Sequence, residues 1–136
     1  MKIDGSCHCG AITYEADIDP EKVGICHCTD CQKFSGSAFR TLAQTEPGGF
    51  RLLTGTPKVY VKVGESGNER PQAFCGECGS SIYATSTDPD PKVYNVRAGT
   101  IRQRNELVPK FQVWTRSAHE WLGDLSAIKS SEKGGA

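Results

Sequence analysis

Seven cysteines fall into three groups along the chain: Cys7-x-Cys9, Cys26-x-Cys28-x-x-Cys31 and Cys75-Gly76-Glu77-Cys78-Gly79. Thiolates at such short spacings are soft metal ligands, and zinc is the ion that suits sets of three or four of them. Cys75-x-x-Cys78-Gly79 has the spacing of a zinc knuckle, a tight turn that aims two sulfurs at one ion while backbone amides point at the sulfurs. A knuckle supplies two ligands and must borrow two more. An extended Cys7-x-Cys9 places both its sulfurs on one side of the chain, which pairs Cys7, Cys9, Cys75 and Cys78 as a closed structural site. Cys26, Cys28 and Cys31 remain as a local trio, and three protein ligands are the mark of a working zinc site whose fourth position takes water or substrate. The expectation is two zinc ions per chain, one structural and one labile and catalytic.

The neighbours of these sulfurs carry less chemistry. His8 and His27 each sit between two cysteines, so in an extended segment their rings face away from the sulfurs. Both are expected to hydrogen-bond around a metal site or to lie at the surface, with His27 as a fourth ligand or proton shuttle the less favoured alternative. His119 stands alone and reads as surface. Three thiolates around a divalent ion leave one net negative charge, which Lys33 or Arg40 is placed to offset. Arg40, Arg97, Arg102 and Arg104 are candidate anchors for an anionic substrate end, although arginines on strands and turns usually just solvate a face. Trp114 and Trp121 are expected in the core or a pocket wall. A three-thiolate zinc is electron-rich and a weaker Lewis acid than a histidine-bound one. The trio is therefore better suited to presenting a sulfur nucleophile to an aldehyde carbon than to making hydroxide.

The elements that must hold these residues read as strands. Ile12, Tyr14, Ala16 and Ile18 alternate with Thr13, Glu15 and Asp17, the period of a half-buried strand, ending at Asp19-Pro20. Similar short strands are predicted over residues 37–43, 50–54, 58–63, 81–85, 93–98 and 111–115. Turn chemistry separates them, as in Pro47-Gly48-Gly49 and Asp88-Pro89-Asp90-Pro91. Helical spacing is confined to a turn capped by Thr29 or Asp30 and running through Phe34, and to residues 118–125. The pattern predicts an all-β class of short antiparallel strands, stapled by zinc. One domain over residues 3–128 is expected, followed by a flexible tail over 129–136.

Composition narrows the function. Sixteen basic against sixteen acidic residues give no formal charge, which leaves little electrostatic drive toward nucleic acid or an anionic membrane. Apolar residues make up only 37% of the 136, so a thin core is expected to need the metal sites. Apolar runs such as Val59-Tyr60-Val61 fall far short of a membrane span. The opening Met1-Lys2-Ile3-Asp4-Gly5-Ser6 lacks the apolar stretch of a secretory signal, which points to a reducing cytoplasm without disulfide staples.

Taken together, Gly5-Ser6-Cys7-His8-Cys9-Gly10, Cys26-His27-Cys28-x-x-Cys31, Ser35-Gly36-Ser37-Ala38-Phe39 and Phe74-Cys75-Gly76-x-Cys78-Gly79-Ser80, with Trp114 and Trp121, resemble the glutathione-dependent formaldehyde-activating (CENP-V/GFA) family. The resemblance covers nearly the whole chain. It implies a β-rich zinc fold in which Cys7, Cys9, Cys75 and Cys78 match structural ligands and Cys26, Cys28 and Cys31 match the catalytic trio. It also implies a carbon–sulfur lyase activity that joins or releases formaldehyde, or another small aldehyde, and a thiol such as glutathione. The residues leave two other readings open: a noncatalytic zinc-stabilised binding module, and a sensor whose trio releases zinc on oxidation.

Overall fold

The computed structural model describes residues 1–134; the end of the expected tail, residues 135–136, lies outside the described residues. Strands β1 (Lys2–Ser6), β2 (Thr13–Cys26), β3 (Arg40–Thr54), β4 (Lys58–Val63), β5 (Glu69–Phe74), β6 (Ser81–Thr85), β7 (Tyr94–Arg97) and β8 (Phe111–Val113) build one sheet, and helix α1 (Thr29–Ser35) interrupts them once. The hydrogen-bonded order is β1-β2-β3-β7-β6-β5-β4, with β8 paired to β2. All pairings are antiparallel except β2 with β8, where Gly24, Ile25 and Cys26 run parallel to Phe111, Gln112 and Val113. The all-β class expected from the strand periodicity is the one observed.

The main departures come at turn residues. β2 continues through Asp19-Pro20, and β3 runs through Pro47-Gly48-Gly49, which joins two expected strands into one. Register shifts between β2 and β3 take up these residues as bulges, so the chain bends without leaving the ladder. β1 and β5 were not expected. Lys2–Ser6 is too polar to alternate clearly, and β5 holds Pro71 within Glu-Arg-Pro-Gln, a residue normally confined to edges because it cannot donate to a ladder. The expected helix over 118–125 is replaced by separate 3-10 turns at Thr115–Ser117 and Glu120–Gly123. Among the described residues no helix is long and apolar enough to cross a membrane.

One face of the sheet carries the core. Tyr14, Ala16, Ile18, Val23, Ala43, Ala73 and Val96 are fully or almost fully buried. Their middle is an aromatic cluster in which the Phe50 ring lies 5.1 Å from Tyr14, 4.8 Å from Tyr83 and 5.2 Å from Tyr94. The Thr100 hydroxyl donates to the Arg97 carbonyl at 2.9 Å, so the Tyr14 hydroxyl, 2.7 Å from Thr100 Oγ1, donates to it. Burial pushes the Tyr14 phenol up to about 12, which keeps that proton in place. Gly5 lies against this contact, two residues before Cys7, and a Cβ there would overlap both the Tyr14 hydroxyl and the Thr100 carbonyl. Close approach of β1 to Tyr14 therefore sets where the first cysteine pair begins. Gly5→Ala is expected to destabilise the protein by about 2–3 kcal/mol, read from the urea midpoint; an unchanged midpoint would show that β1 is free to move away from Tyr14.

Candidate metal centres

Chain turns bring the distant pair of cysteine groups together. Cys7 follows the last residue of β1, and the Gly10 amide donates to the Cys7 carbonyl at 3.2 Å to close a turn that Gly10 enters with φ of 82°. Between β5 and β6, the Gly79 amide donates to the Cys75 carbonyl at 2.8 Å, with Gly79 at φ of 79°. Both glycines occupy the left-handed region that side chains disfavour. The two turns are tied by the His8 amide, which donates to Ser80 Oγ at 3.0 Å. As a result the sulfurs of Cys7, Cys9, Cys75 and Cys78 all lie within 4.8 Å of one another.

These distances suit a tetrahedral ion. Four sulfurs each about 2.3 Å from a zinc stand about 3.8 Å apart; Cys7 Sγ is 3.6 Å from Cys9 Sγ, and Cys9 Sγ is 3.8 Å from Cys75 Sγ. Donors also surround the cluster. The Ile12 amide donates to Cys7 Sγ at 3.2 Å, and the Ser80 hydroxyl lies 3.3 Å from Cys78 Sγ. That hydroxyl, with the amides of Ser80 and Cys9, draws the Cys78 thiol down to about 5. The Ala11 amide favours the Cys9 thiolate, but the adjacent sulfurs and burial outweigh it and hold Cys9 up at about 12. Without a cation the four sulfurs do not share full ionisation; an ion among them removes the conflict.

The second group is local. Cys26 ends β2 and Cys31 lies on the buried side of α1, while Cys28 caps the helix, its sulfur accepting from the Cys31 amide at 3.3 Å. Gly36 ends the helix in the left-handed region. The three sulfurs lie within 4.8 Å of one another, and no other His, Cys, Asp or Glu of the described residues joins them. Cys26 and Cys31 are buried; Cys28 is partly exposed and lines a cleft of about 710 Å³ with Asp30, Lys62, Glu65, Trp114 and Arg116. Lys62 is among the groups that favour the Cys28 thiolate and bonds Asp30 at 2.7 Å. Either group of cysteines can hold a metal ion, and all seven are free of disulfides.

His27 is buried beneath the trio's loop. Its Nε2 is 2.8 Å from Gln112 Oε1, and its Nδ1 has no partner among the described residues. Gln32 ties the loop down by donating to the carbonyls of His27 and Ser117 at 2.9 and 3.1 Å. His8 and His119 are exposed. Lys33 lies with Asp30, Phe34 and Tyr60 on the outer side of α1.

Several residues sit elsewhere than the sequence suggested. Trp114 and Trp121 are not core residues: they are 53% and 52% exposed. Trp121 stacks on His119, whereas Trp114 takes the other place expected of it, a wall of the Cys28 cleft, with the Arg116 guanidinium 5.0 Å from its ring. Trp114 also has φ of 57°, a strained backbone for a bulky side chain. Arg102 is engaged, its Nε and Nη2 reaching the Asp4 carboxylate at 3.0 and 2.8 Å, and with Arg104 it borders a different cleft beside Cys7. Arg97 solvates nothing; it is 7% exposed. Lys62 and Arg116 were not anticipated, because only the packing of β4 and of the 3-10 turn Thr115–Ser117 against α1 carries them to Cys28.

A protein described as an uncharacterized lyase of Schizosaccharomyces pombe is 29% identical over 85 residues, 62% of this chain, and the match spans 58% of that protein's length. The crystal structure of a Rhodobacter sphaeroides protein shares the fold, with a TM-score of 0.61 at 18% identity, covering 80% of this chain and 98% of that one. A family model described as glutathione-dependent formaldehyde-activating enzyme matches residues 2–117, a span holding all eight strands and all seven cysteines. On that match the chain belongs to the glutathione-dependent formaldehyde-activating enzyme family.

Proposed function

We propose that this chain is a zinc-dependent carbon–sulfur lyase that joins or releases a small aldehyde and a thiol such as glutathione, working at Cys26, Cys28 and Cys31. One observation carries the reading: three sulfurs converge with no fourth His, Cys, Asp or Glu donor among the described residues, and Cys28 faces an open cleft. Cys7, Cys9, Cys75 and Cys78 form the closed set, which would hold a second zinc as a staple. The family and the lyase-named relative support the reaction class. A cytoplasmic setting belongs to the same reading, since paired thiolate metal sites suit a reducing compartment, and residues 3–128 would act as one domain.

A zinc ion on the trio supplies Lewis acidity, which lets a bound thiol lose its proton at neutral pH. The chain's own contribution is placement and charge. Cys26 and Cys31 are fixed by β2 and α1, so only the side toward Cys28 remains approachable. Lys62 and Arg116 bring positive charge to the cleft, and Asp30 and Glu65 bring negative charge. Such a lining suits a zwitterion; glutathione, with two carboxylates and one ammonium, has complementary groups. Trp114 closes one side of the cleft, with the Arg116 guanidinium over its ring. The aldehyde carbon would then meet a sulfur already oriented, which is where most of the rate advantage of such a site arises.

Two variants separate the centres. Cys28→Ser is expected to lower zinc content from about two equivalents to about one and to cut thiol–aldehyde turnover at least 100-fold, with the fold retained. Cys75→Ser is expected instead to lower the unfolding midpoint sharply, since a closed zinc site contributes several kcal/mol to folding. Full zinc content with full turnover in Cys28→Ser would refute the assignment of the open site.

Trp114 gives an independent check on the cleft. Trp114→Gly relieves a left-handed backbone while removing a wall, so stability should change by less than about 1 kcal/mol as KM for the thiol rises severalfold. Unchanged KM would exclude this cleft as the thiol's seat.

A further inference from the structure

Antiparallel register places residues opposite one another on the same face of a sheet. Cys26 is opposite Arg40, Leu42 is opposite Arg97, and Gln72 on β5, two residues beyond Arg70, is opposite Ala84, itself opposite Asn95 two residues before Arg97. Cys26, Arg40, Arg97, Gln72 and Arg70 therefore share the face away from the aromatic core. Helix α1, which carries Cys31, lies over this face: the Arg40 guanidinium is 5.0 Å from the Phe34 ring, and Phe34 packs 6.0 Å from Tyr60. Three arginines are thus gathered beneath the trio, one of them almost wholly out of water.

No carboxylate of the described residues bonds to them, although Asp30 on α1 lies within electrostatic reach of Arg40. Among the described residues, none of Arg40, Arg70 and Arg97 makes an ion pair. Gln72 Oε1 alone accepts from Arg40 Nη1 at 3.1 Å and Arg97 Nη2 at 3.3 Å, and the Nε atoms of both arginines are buried without a partner. Burial and the nearby Arg40 pull the Arg97 guanidinium down to about 9, while the sulfurs of Cys31 and Cys26 pull it up. A buried cation without a counter-ion is costly, and two side by side cost more. The negative charge that acts on Arg97 is that of Cys31 and Cys26, whereas Arg40 also feels the Asp30 carboxylate.

We propose that Arg97 and Arg40 are positioning residues for an anionic fourth ligand, their charge offsetting the excess negative charge of three thiolates around a divalent ion. This rests on the reading of the trio as an open metal site. Three thiolates and a divalent ion carry one net negative charge, and a substrate thiolate would add a second in a half-buried place. With the two guanidinium groups counted in, the same addition brings the site to neutrality. The device selects for charge on the incoming atom: it favours a thiolate over a neutral donor of similar size.

The test uses full-length protein with cobalt(II) on the trio, where sulfur-to-metal charge-transfer absorbance reports the number of bound thiolates. Glutathione is titrated as the anionic probe and imidazole as the neutral one. Arg97→Gln is expected to weaken glutathione about tenfold or more while leaving imidazole within about twofold, with Arg97→Lys losing less. Arg40→Gln, at a half-buried position, carries the same expectation and serves should Arg97→Gln fail to fold. If glutathione joins the metal in the wild type and the variants bind it equally well, or lose both probes alike, the role given to the arginines is overturned while the open site stands. No spectral change with glutathione in the wild type would overturn the open site itself, and the inference with it.

Discussion

Sulfur atoms crowded within 4.8 Å of one another impose the constraint on which this molecule is built. As thiolates they repel, as thiols they waste the donors aimed at them, and only a cation in their midst satisfies both. The surrounding chain is arranged for the ionised state. Amides of Ile12 and Cys31 and the hydroxyl of Ser80 point at sulfur, and glycines at 10, 36 and 79 take up the left-handed conformations that let the turns close.

The two centres answer the constraint differently, and the sheet explains why. The four-cysteine group joins the end of β1 to the turn between β5 and β6, segments near opposite ends of the strand order. A cross-link there ties parts of the sheet that share no ladder, which is worth most to a fold with a thin core. The trio joins only β2 to the helix that follows it. It constrains little, and that freedom is consistent with a site that exchanges its fourth ligand.

Charge is distributed in the same sense. The cleft at Cys28 mixes Lys62 and Arg116 with Asp30 and Glu65, so its lining carries both signs. Below the trio lie Arg40, Arg70 and Arg97, with no carboxylate hydrogen-bonded to them among the described residues. Strain also sits at this end of the molecule: Trp114, the single non-glycine residue at positive φ among those described, stands at the cleft wall. A backbone cost of about 1–2 kcal/mol placed beside the approachable sulfur, and not in the core, marks where shape matters more than stability.

Much of this was legible in the residues alone. Cysteine spacing separated a set of four from a set of three, because ligand geometry over two or three residues is a local property of turns. The alternation of Ile12, Tyr14, Ala16 and Ile18 identified a core strand, because a sheet buries one face. Local chemistry misled where bulges absorb turn residues, at Asp19-Pro20 and Pro47-Gly48-Gly49, since a ladder on either side can hold a break that looks final in sequence. What only the tertiary structure decided is adjacency between strands: Arg40 opposite Cys26, Arg97 two residues along the same face, Lys62 and Arg116 meeting at Cys28. Register depends on the packing of the whole sheet, and a guanidinium on a strand reads the same in sequence whether it faces water or lies buried beneath three sulfurs.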